Sequence, residues 1–590
     1  VRRLLAAAAA LVVTALAVPA TAAPDTVAIA RTVVAFVPDL SPGQPVRNAA
    51  TGALVVATAR KRNCAADAWL TLSAGAPAAM PGDGCGPPAL TTHGTGPLAG
   101  ADVAGWAGIV GANAKHRYGA RPGALATAAN EGPPCVGATG PLAALGAADE
   151  TGHVAEYHDV PTGNPYCDVQ LVDATGAASL DAAVDELFRM FHPYRLILVG
   201  LPRGQHLGAV AQYGERSGLL TGSTRRTGLV TLADLNALIV NDSVLPVRAG
   251  SRATLADLDR REHLHRRYNG WYVTALISLP LLLYIYWGVR RRVPRRVALA
   301  VAAFPAAGFL ASAIPWWRTS APGAAVINAL VTATLVLAIA GALAARALRA
   351  PAEAGVAAAC AAVFVVDLLA GGRLQATALA SYSAIAGGRF YGIGNAGFAV
   401  LATAAVIATG AVANRWGARV WLLLLPVIAL DALAGYGADF GGAIALTAAF
   451  VAAVTTRARK AALAGGIVAG VAVAVAAAVA DYARPAADRT HLGRFVGEVL
   501  HGGWYDTVAR KAHAATHSVT GTWYPLLLAG SIGVAVYLLR RQRRPELDTI
   551  VRALAVLFVA GSLLNDSGIA VAGVGLAVAG PLLLSYAERP

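Results

Sequence analysis

Charge is scarce in this chain. Only 14% of its 590 residues are Asp, Glu, Lys or Arg, while 56% are hydrophobic. The mean hydropathy of +0.55 is too high for an ordinary water-soluble globule and fits several membrane spans. There is no phosphate-binding glycine loop, no cysteine–histidine array at zinc spacing and no dinucleotide fingerprint. ATP-driven transport by this chain alone is therefore not expected. A net charge of +15 would point a soluble protein toward nucleic acid. Here no basic, aromatic-studded groove pattern accompanies it, so nucleic acid is not expected as a partner. Much of the Arg instead falls in short loops between apolar runs, the positive-inside pattern of membrane proteins.

Cysteine is also sparse, and four of the five residues, Cys64, Cys85, Cys135 and Cys167, fall in the first third of the chain. An even number in an exported segment points to two disulfides. Three pairings are possible. Cys64–Cys85 and Cys135–Cys167 are favoured because both close short loops rich in Gly and Pro. Cys360 lies within an apolar run and is expected to pack there.

Residues 1–23 read as a secretory signal, with Arg2 and Arg3, an apolar stretch from Leu4 to Val18, and small residues from Pro19 to Ala23. An uncleaved anchor helix is the alternative, and either one exports the segment C-terminal to it. Residues 24–256 contain no run long enough to span a bilayer. Strand candidates at Thr26–Val37, Pro133–Thr139, Tyr194–Gly200 and the start of Leu229–Val240 alternate with helical stretches. In Ala177–Phe191, Leu180, Val184, Leu187 and Phe188 share one face. The alternation predicts an α/β domain with a mostly parallel sheet, whose ligands would bind at the carboxyl ends of the strands. Asp39 and the Pro202–His206 turn sit at such ends.

Three stretches carry a resemblance: Val33-Val34-Ala35-Phe36-Val37-Pro38-Asp39, Trp69-Leu70-Thr71-Leu72-Ser73-Ala74-Gly75, and Gly222-Ser223-Thr224-Arg225-Arg226-Thr227-Gly228-Leu229-Val230 before Asp234. In order and spacing this segment resembles the alkaline phosphatase superfamily, especially its membrane-linked members. The resemblance covers the exported domain alone. It implies Asp39 as a ligand to a divalent metal and Thr71 (or Ser73) as nucleophile. The chain departs from the family after Tyr194–Gly200, where Leu201-Pro202-Arg203-Gly204-Gln205-His206 holds no Asp-His pair. A two-metal centre needs several carboxylate and His ligands. His93, His116, His153, His158, His192 and His206 are scattered without ligand spacing. The expectation is a domain with a phosphatase-like shape that has lost its metal chemistry.

Residues 257–270 form a charged helical linker at the bilayer surface. From Trp271 onward about eleven apolar segments approach span length: 271–289, 297–315, 324–344, 355–370, 396–413, 420–435, 442–456, 461–480, 523–539, 552–564 and 569–586. The predicted fold is thus an α/β domain followed by an all-α polytopic bundle. With the first domain outside, the loop Arg290–Arg296 is cytoplasmic. Alternation then puts Arg346/Arg349, Arg415/Arg419, Arg457/Arg459/Lys460 and Arg540–Arg544 on the same side. The chain is expected in the plasma membrane, with a cytoplasmic C-terminus.

This orientation collects the polar, glycine-rich segments outside: Asp367–Asn395, Gly435–Gly442, the long loop 481–523, and Asn565–Gly568. Gly387-Gly388-Arg389-Phe390-Tyr391-Gly392-Ile393-Gly394-Asn395 is expected to form the mouth of the bundle. Polar residues at this depth are paired or functional. If the bundle is catalytic, Arg389 and Arg494 would hold phosphate, and His491 or Asp439 would act as base. Tyr391, Asn395, Arg510, Lys511 and Asp566 are candidate substrate-binding residues. Asp367, Asp431, Asp439 and Asp566 can offset Arg373 and Arg389, and a set of helix caps and interfacial ion pairs is the competing explanation. Three functions fit this pattern: handling of a lipid-linked or anionic envelope substrate, secondary transport or lipid flipping, and non-enzymatic assembly of the envelope.

Overall fold

The computed structural model describes residues 32–60, 64–95, 99–116, 118–130, 135–161, 165–214, 218–241, 245–376, 378–381, 383–386, 389–433, 435–455, 479–483, 491–500, 524–541, 545–565 and 567–588. The signal segment 1–23 lies outside them.

The first domain contains β1 (Thr32–Val37), β2 (Ala49–Val55), α1 (Ala65–Ala74), β3 (Leu90–His93), β4 (Gly100–Val103), α2 (Trp106–Ala114), α3 (Ala124–Asn130), β5 (Val136–Thr139), α4 (Ala144–Ala147), β6 (His153–Val154), β7 (Glu156–His158), β8 (Val169–Asp173), α5 (Leu180–Phe191), β9 (Arg195–Gly200), β10 (Gly208–Tyr213), β11 (Leu219–Leu220), β12 (Leu229–Thr231), α6 (Leu232–Asn241) and β13 (Val247–Arg248). The main sheet runs β13-β11-β2-β10-β9-β1-β8-β5-β7, with β12 also on β2. Strands β9, β1, β8, β5 and the edge strand β7 pair in parallel, as the alternation predicted. β10 is antiparallel to both neighbours.

β1 shows why the sheet is buried on both faces. Val34 and Phe36 point into one core with Trp69 of α1, and the Phe36 and Trp69 rings stack at 3.8 Å. Val33, Ala35 and Val37 point into the opposite core with α5. A strand covered on both sides reads as a continuous apolar run. α5 starts at Ser179, whose hydroxyl accepts the Ala182 N–H at 3.2 Å. Its buried stripe is Leu180, Ala183, Leu187 and Phe191. Phe188, expected on that face, is exposed and meets Tyr213 edge-on at 5.2 Å. The helix is rotated so that small Ala183 approaches the sheet, and each large side chain on the stripe contributes about 1.5–3 kcal/mol by burial. Both favoured disulfides, Cys64–Cys85 and Cys135–Cys167, are present.

One helix joins the two halves. α7 (Arg252–Arg290) contains the expected linker 257–270 and runs unbroken into the apolar stretch from Trp271. The bundle continues with α8 (Arg295–Leu310), α9 (Pro322–Ala347), α10 (Ala352–Leu369), α11 (Asn395–Trp416), α12 (Leu424–Ala432), α13 (Phe440–Val454), α14 (His491–Leu500), α15 (Tyr524–Arg541), α16 (Pro545–Leu564) and α17 (Ile569–Ala587). Among the described residues, seven helices are long and apolar enough to cross a membrane. The expected spans at 420–435 and 442–456 are the shorter α12 and α13. A 3-10 stretch, Ala418–Leu423, precedes α12, and a Gly-containing turn at 435–437 separates it from α13. The expected span 461–480 lies almost wholly outside the described residues.

α11 and α17 form the centre, each 83% buried over its apolar stretch, whereas α9 and α16 are the most exposed spans, at 33% each. The two ends of the bundle differ in chemistry. At one end Arg295 forms a two-pronged pair with buried Glu353 at 2.9 and 3.0 Å, Ser585 bonds the same carboxylate, and Val293 N–H bonds Glu588. These residues flank the Arg290–Arg296 loop. The α/β globule sits on the opposite end.

Candidate functional site

The carboxyl edge of the sheet faces the bundle. Beyond β1, Asp39 is ion-paired with Arg203, which follows β9, and both are exposed. His206 Nδ1 lies 2.8 Å from Asp259 of α7, and the Leu207 N–H bonds the same carboxylate at 2.7 Å. The His206 ring stacks on His263 at 4.3 Å. Thr71 lies within α1, buried, where its hydroxyl donates to the Ala78 carbonyl and accepts the Ala78 N–H at 3.1 Å. Asp39 thus engages Arg203, and Thr71 holds the turn after its own helix. Among the described residues no group of three or more His, Cys, Asp or Glu side chains could hold a metal ion.

One joint between globule and bundle is built by the loop 222–228. Buried Asp234 accepts the Ser223 and Thr231 N–H groups, each at 2.7 Å, and fixes both ends of the loop. Thr224 closes it from within by donating to the Leu229 carbonyl at 2.6 Å. Two arginines are then presented side by side to the bundle. Arg225, at φ 56, lies over the Tyr391 ring at 4.3 Å. Arg226 donates through Nε to the Phe390 carbonyl.

α7 supplies the other side of this joint. Its buried stripe includes Leu255, Glu262, Leu264, His265, Tyr272 and Leu276, so Glu262 falls among apolar residues. Glu262 accepts the Ser383 hydroxyl and the Ala384 N–H, both at 2.9 Å. Burial pushes its carboxyl up to about 6, against the pull of those two hydrogen bonds. Burial likewise holds the Arg226 guanidinium below its ordinary range, while the Glu262 charge raises it. Arg261 is lowered to about 10 by burial and lies over Trp317 at 4.4 Å. Asp257 binds Trp317 and Arg318, and Asn269 donates to the Leu379 carbonyl at 2.6 Å. Leu207, Leu229 and Leu255 close the joint against Ala384 and Phe390.

Immediately beyond lies the mouth. Arg389 donates to the Ile393 carbonyl and, at 2.7 Å, to the Ala438 carbonyl. It thereby clasps the segment before α11 to the turn before α13. The Ile393 N–H bonds the Gly437 carbonyl at 2.8 Å. Gly392 has φ +73, and a Cβ there would overlap the Gly437 carbonyl, so glycine is required on both counts. Asp439 caps α13 by accepting the Gly442 N–H at 3.2 Å, and its own N–H bonds the Asp431 carbonyl at 3.0 Å. Asn395 donates to the Ser567 hydroxyl at 2.5 Å. Asp367 is held by the Leu374 N–H and by Gln375.

Arg389 and Asp439 therefore share one clasp, with Tyr391 at its globule side and Asn395 at the start of α11. His491 and Arg494 lie on α14, whose Gly493 N–H bonds Asp481 at 2.7 Å; their side chains are outside the described residues. Arg510, Lys511 and Asp566 also lie outside them. Glu262 and Ser383 were not singled out from sequence. A carboxylate spaced with Leu255 and Leu258 on one helical face was the available signal for Glu262; Ser383 offered none. No family model, curated protein or solved structure matches the chain.

Proposed function

We propose that this is a multi-pass membrane protein of the cell envelope whose extracytoplasmic face binds or processes a lipid-linked or otherwise anionic substrate. The α/β globule, phosphatase-like in shape, serves as a fixed recognition module, and the reacting or binding groups belong to the bundle mouth. The globule end of the bundle is extracytoplasmic, and the Arg290–Arg296 end and the C-terminus are cytoplasmic.

The observation that carries this reading is the joint between loop 222–228 and Phe390–Tyr391. It brings Arg225 and Arg226 of the globule against Phe390 and Tyr391, the residues that follow Arg389 of the bundle. Guanidinium groups on a membrane face suit phosphate or other anionic head groups. Tyr391 supplies an amphipathic ring of the kind that sits at the headgroup level. Seating the globule beside the mouth gives one substrate access to both halves of the chain.

The test is a lipid analysis. A deletion strain is expected to accumulate a lipid-linked envelope intermediate, which the wild-type gene clears and an Arg389→Ala copy, present at equal level in the membrane, does not. Full clearance by Arg389→Ala would remove the mouth from the reaction. An unchanged lipid profile on deletion would set the whole reading aside.

A further inference from the structure

Asp431 presents a problem of charge that the proposed substrate site does not solve. It lies at the end of α12, fully buried at 0% exposure, and neither carboxylate oxygen has a hydrogen-bond partner among the described residues. The elements packed on α12 are α10, α11, α13 and the 3-10 stretch Ala418–Leu423. The charged groups that act on Asp431 are Asp439, at the start of α13, and Arg389, just before α11. Two carboxylates thus face one guanidinium. That guanidinium is hydrogen-bonded to the carbonyls of Ile393 and Ala438. A buried carboxylate lacking hydrogen bonds is strongly disfavoured as an ion and is stabilised by taking up a counter-charge.

The surrounding oxygens decide which counter-charge. The carbonyls of Asp431, Gly437 and Ala438 already accept the Asp439 N–H, the Ile393 N–H and the Arg389 guanidinium respectively. A metal cation would need several of these oxygens at once, whereas a proton needs none.

We propose that Asp431 is an exchangeable proton site that sets the position of the Arg389 clasp. With Asp431 protonated, Arg389 stays on the Ile393 and Ala438 carbonyls and the mouth is closed. When the proton leaves to water at the mouth, the new carboxylate competes for the guanidinium. Arg389 turns toward it and releases the Ala438 carbonyl. The turn 435–439 is then freed from the segment 389–393. Gly437 lies directly against the Asp431 backbone, with no room for a Cβ, so movement of that turn is coupled to the residue carrying the proton. This inference is independent of the substrate and stands whether the mouth binds, processes or translocates it.

The experiment uses the purified full chain in lipid nanodiscs. Infrared difference spectra on raising the pH are expected to show loss of a protonated-carboxyl band that is absent from Asp431→Asn. Over the same pH range, amide hydrogen exchange in 435–439 is expected to rise several-fold in wild type and stay slow in Asp431→Asn, which mimics the protonated side chain. Asp431→Glu is expected to restore both responses and guards against a folding defect of the Asn variant. The spectra are recorded in sodium and in choline buffers. Sodium dependence of the band, persistence of the band in Asp431→Asn, or a pH-driven exchange change in Asp431→Asn would each overturn the proposal.

Discussion

Arg226→Ala is the most informative break in the joint. Arg226 is partly buried, donates to the Phe390 carbonyl and is near enough to the buried Glu262 carboxylate to feel its charge. Truncation leaves that carbonyl without its donor, at about 1–3 kcal/mol. It also removes the positive charge opposing Glu262, although Ser383 and Ala384 still hold that carboxylate. Breaking a buried pair outright costs about 3–5 kcal/mol, so with those two hydrogen bonds kept a total of about 3 kcal/mol is expected. Arg226→Lys retains the charge but not the planar Nε donor, so a loss of about 1 kcal/mol is expected. Arg225→Ala serves as the comparison. It removes an exposed side chain and its contact with the Tyr391 ring, worth about 0.5–1 kcal/mol. The assay is limited proteolysis of the full chain in nanodiscs across a urea series, following cleavage in 222–228 and 383–391. The expected order of destabilisation is Arg226→Ala, then Arg226→Lys, then Arg225→Ala. Equal, small effects for Arg226→Ala and Arg225→Ala would refute the claim that the joint is held by Arg226.

Glu262 makes the same region pH-dependent. Its folded value of about 6 lies above the ordinary carboxyl value of 4.5, so its contribution is fully present below the unfolded value and is lost as pH rises through about 6. The loss amounts to about 2 kcal/mol, and Glu262→Gln is expected to flatten that part of a melting-temperature-versus-pH curve. Cys64–Cys85 and Cys135–Cys167 close separations of 21 and 32 residues. Loss of either is expected to destabilise the globule by about 3–4 kcal/mol, measured by urea unfolding of the paired Cys→Ser variants. Gly437→Ala would force a Cβ into the Asp431 backbone, and an overpacking loss of about 1–3 kcal/mol is expected, read as faster hydrogen exchange in 435–439. Arg295→Ala, at the other end, leaves buried Glu353 with Ser585. It is expected to lower thermal stability by about 3 kcal/mol while leaving lipid-intermediate clearance per folded molecule unchanged.

Local signals carried much of the architecture. Continuous apolar runs such as Arg195–Gly200 gave strands because the sheet is covered on both faces, and the runs beyond Trp271 gave helices because hydrophobicity of span length leaves few other folds. The cysteine pairs were legible because each closes a short Gly/Pro-rich loop. Arg389 and Asp439 stood out because polar side chains are rare in such surroundings. Their mutual arrangement did not. Sequence spacing puts them 50 residues apart, and only the crossing of the turns before α11 and α13 brings Arg389 to the Ala438 carbonyl. The role of Arg226 was hidden for the same reason, since an Arg-Arg pair in a loop reads as solvated until its neighbour is known. Phe188 was misplaced because helical spacing marks a broad apolar face and cannot tell which edge a small residue draws toward the sheet.

The central claim is that the carboxyl edge of the sheet and the mouth around Arg389 share one compartment, opposite the arginine-rich turn at 290–296. Thiol labelling in intact cells tests it most directly. The native chain offers a quiet background, because four cysteines are in disulfides and Cys360 is buried. Single cysteines at the exposed positions Arg373 and Arg292 would be challenged with a membrane-impermeant maleimide. Arg373→Cys is expected to be labelled in intact cells and Arg292→Cys only after permeabilisation. The reverse pattern would contradict the claim.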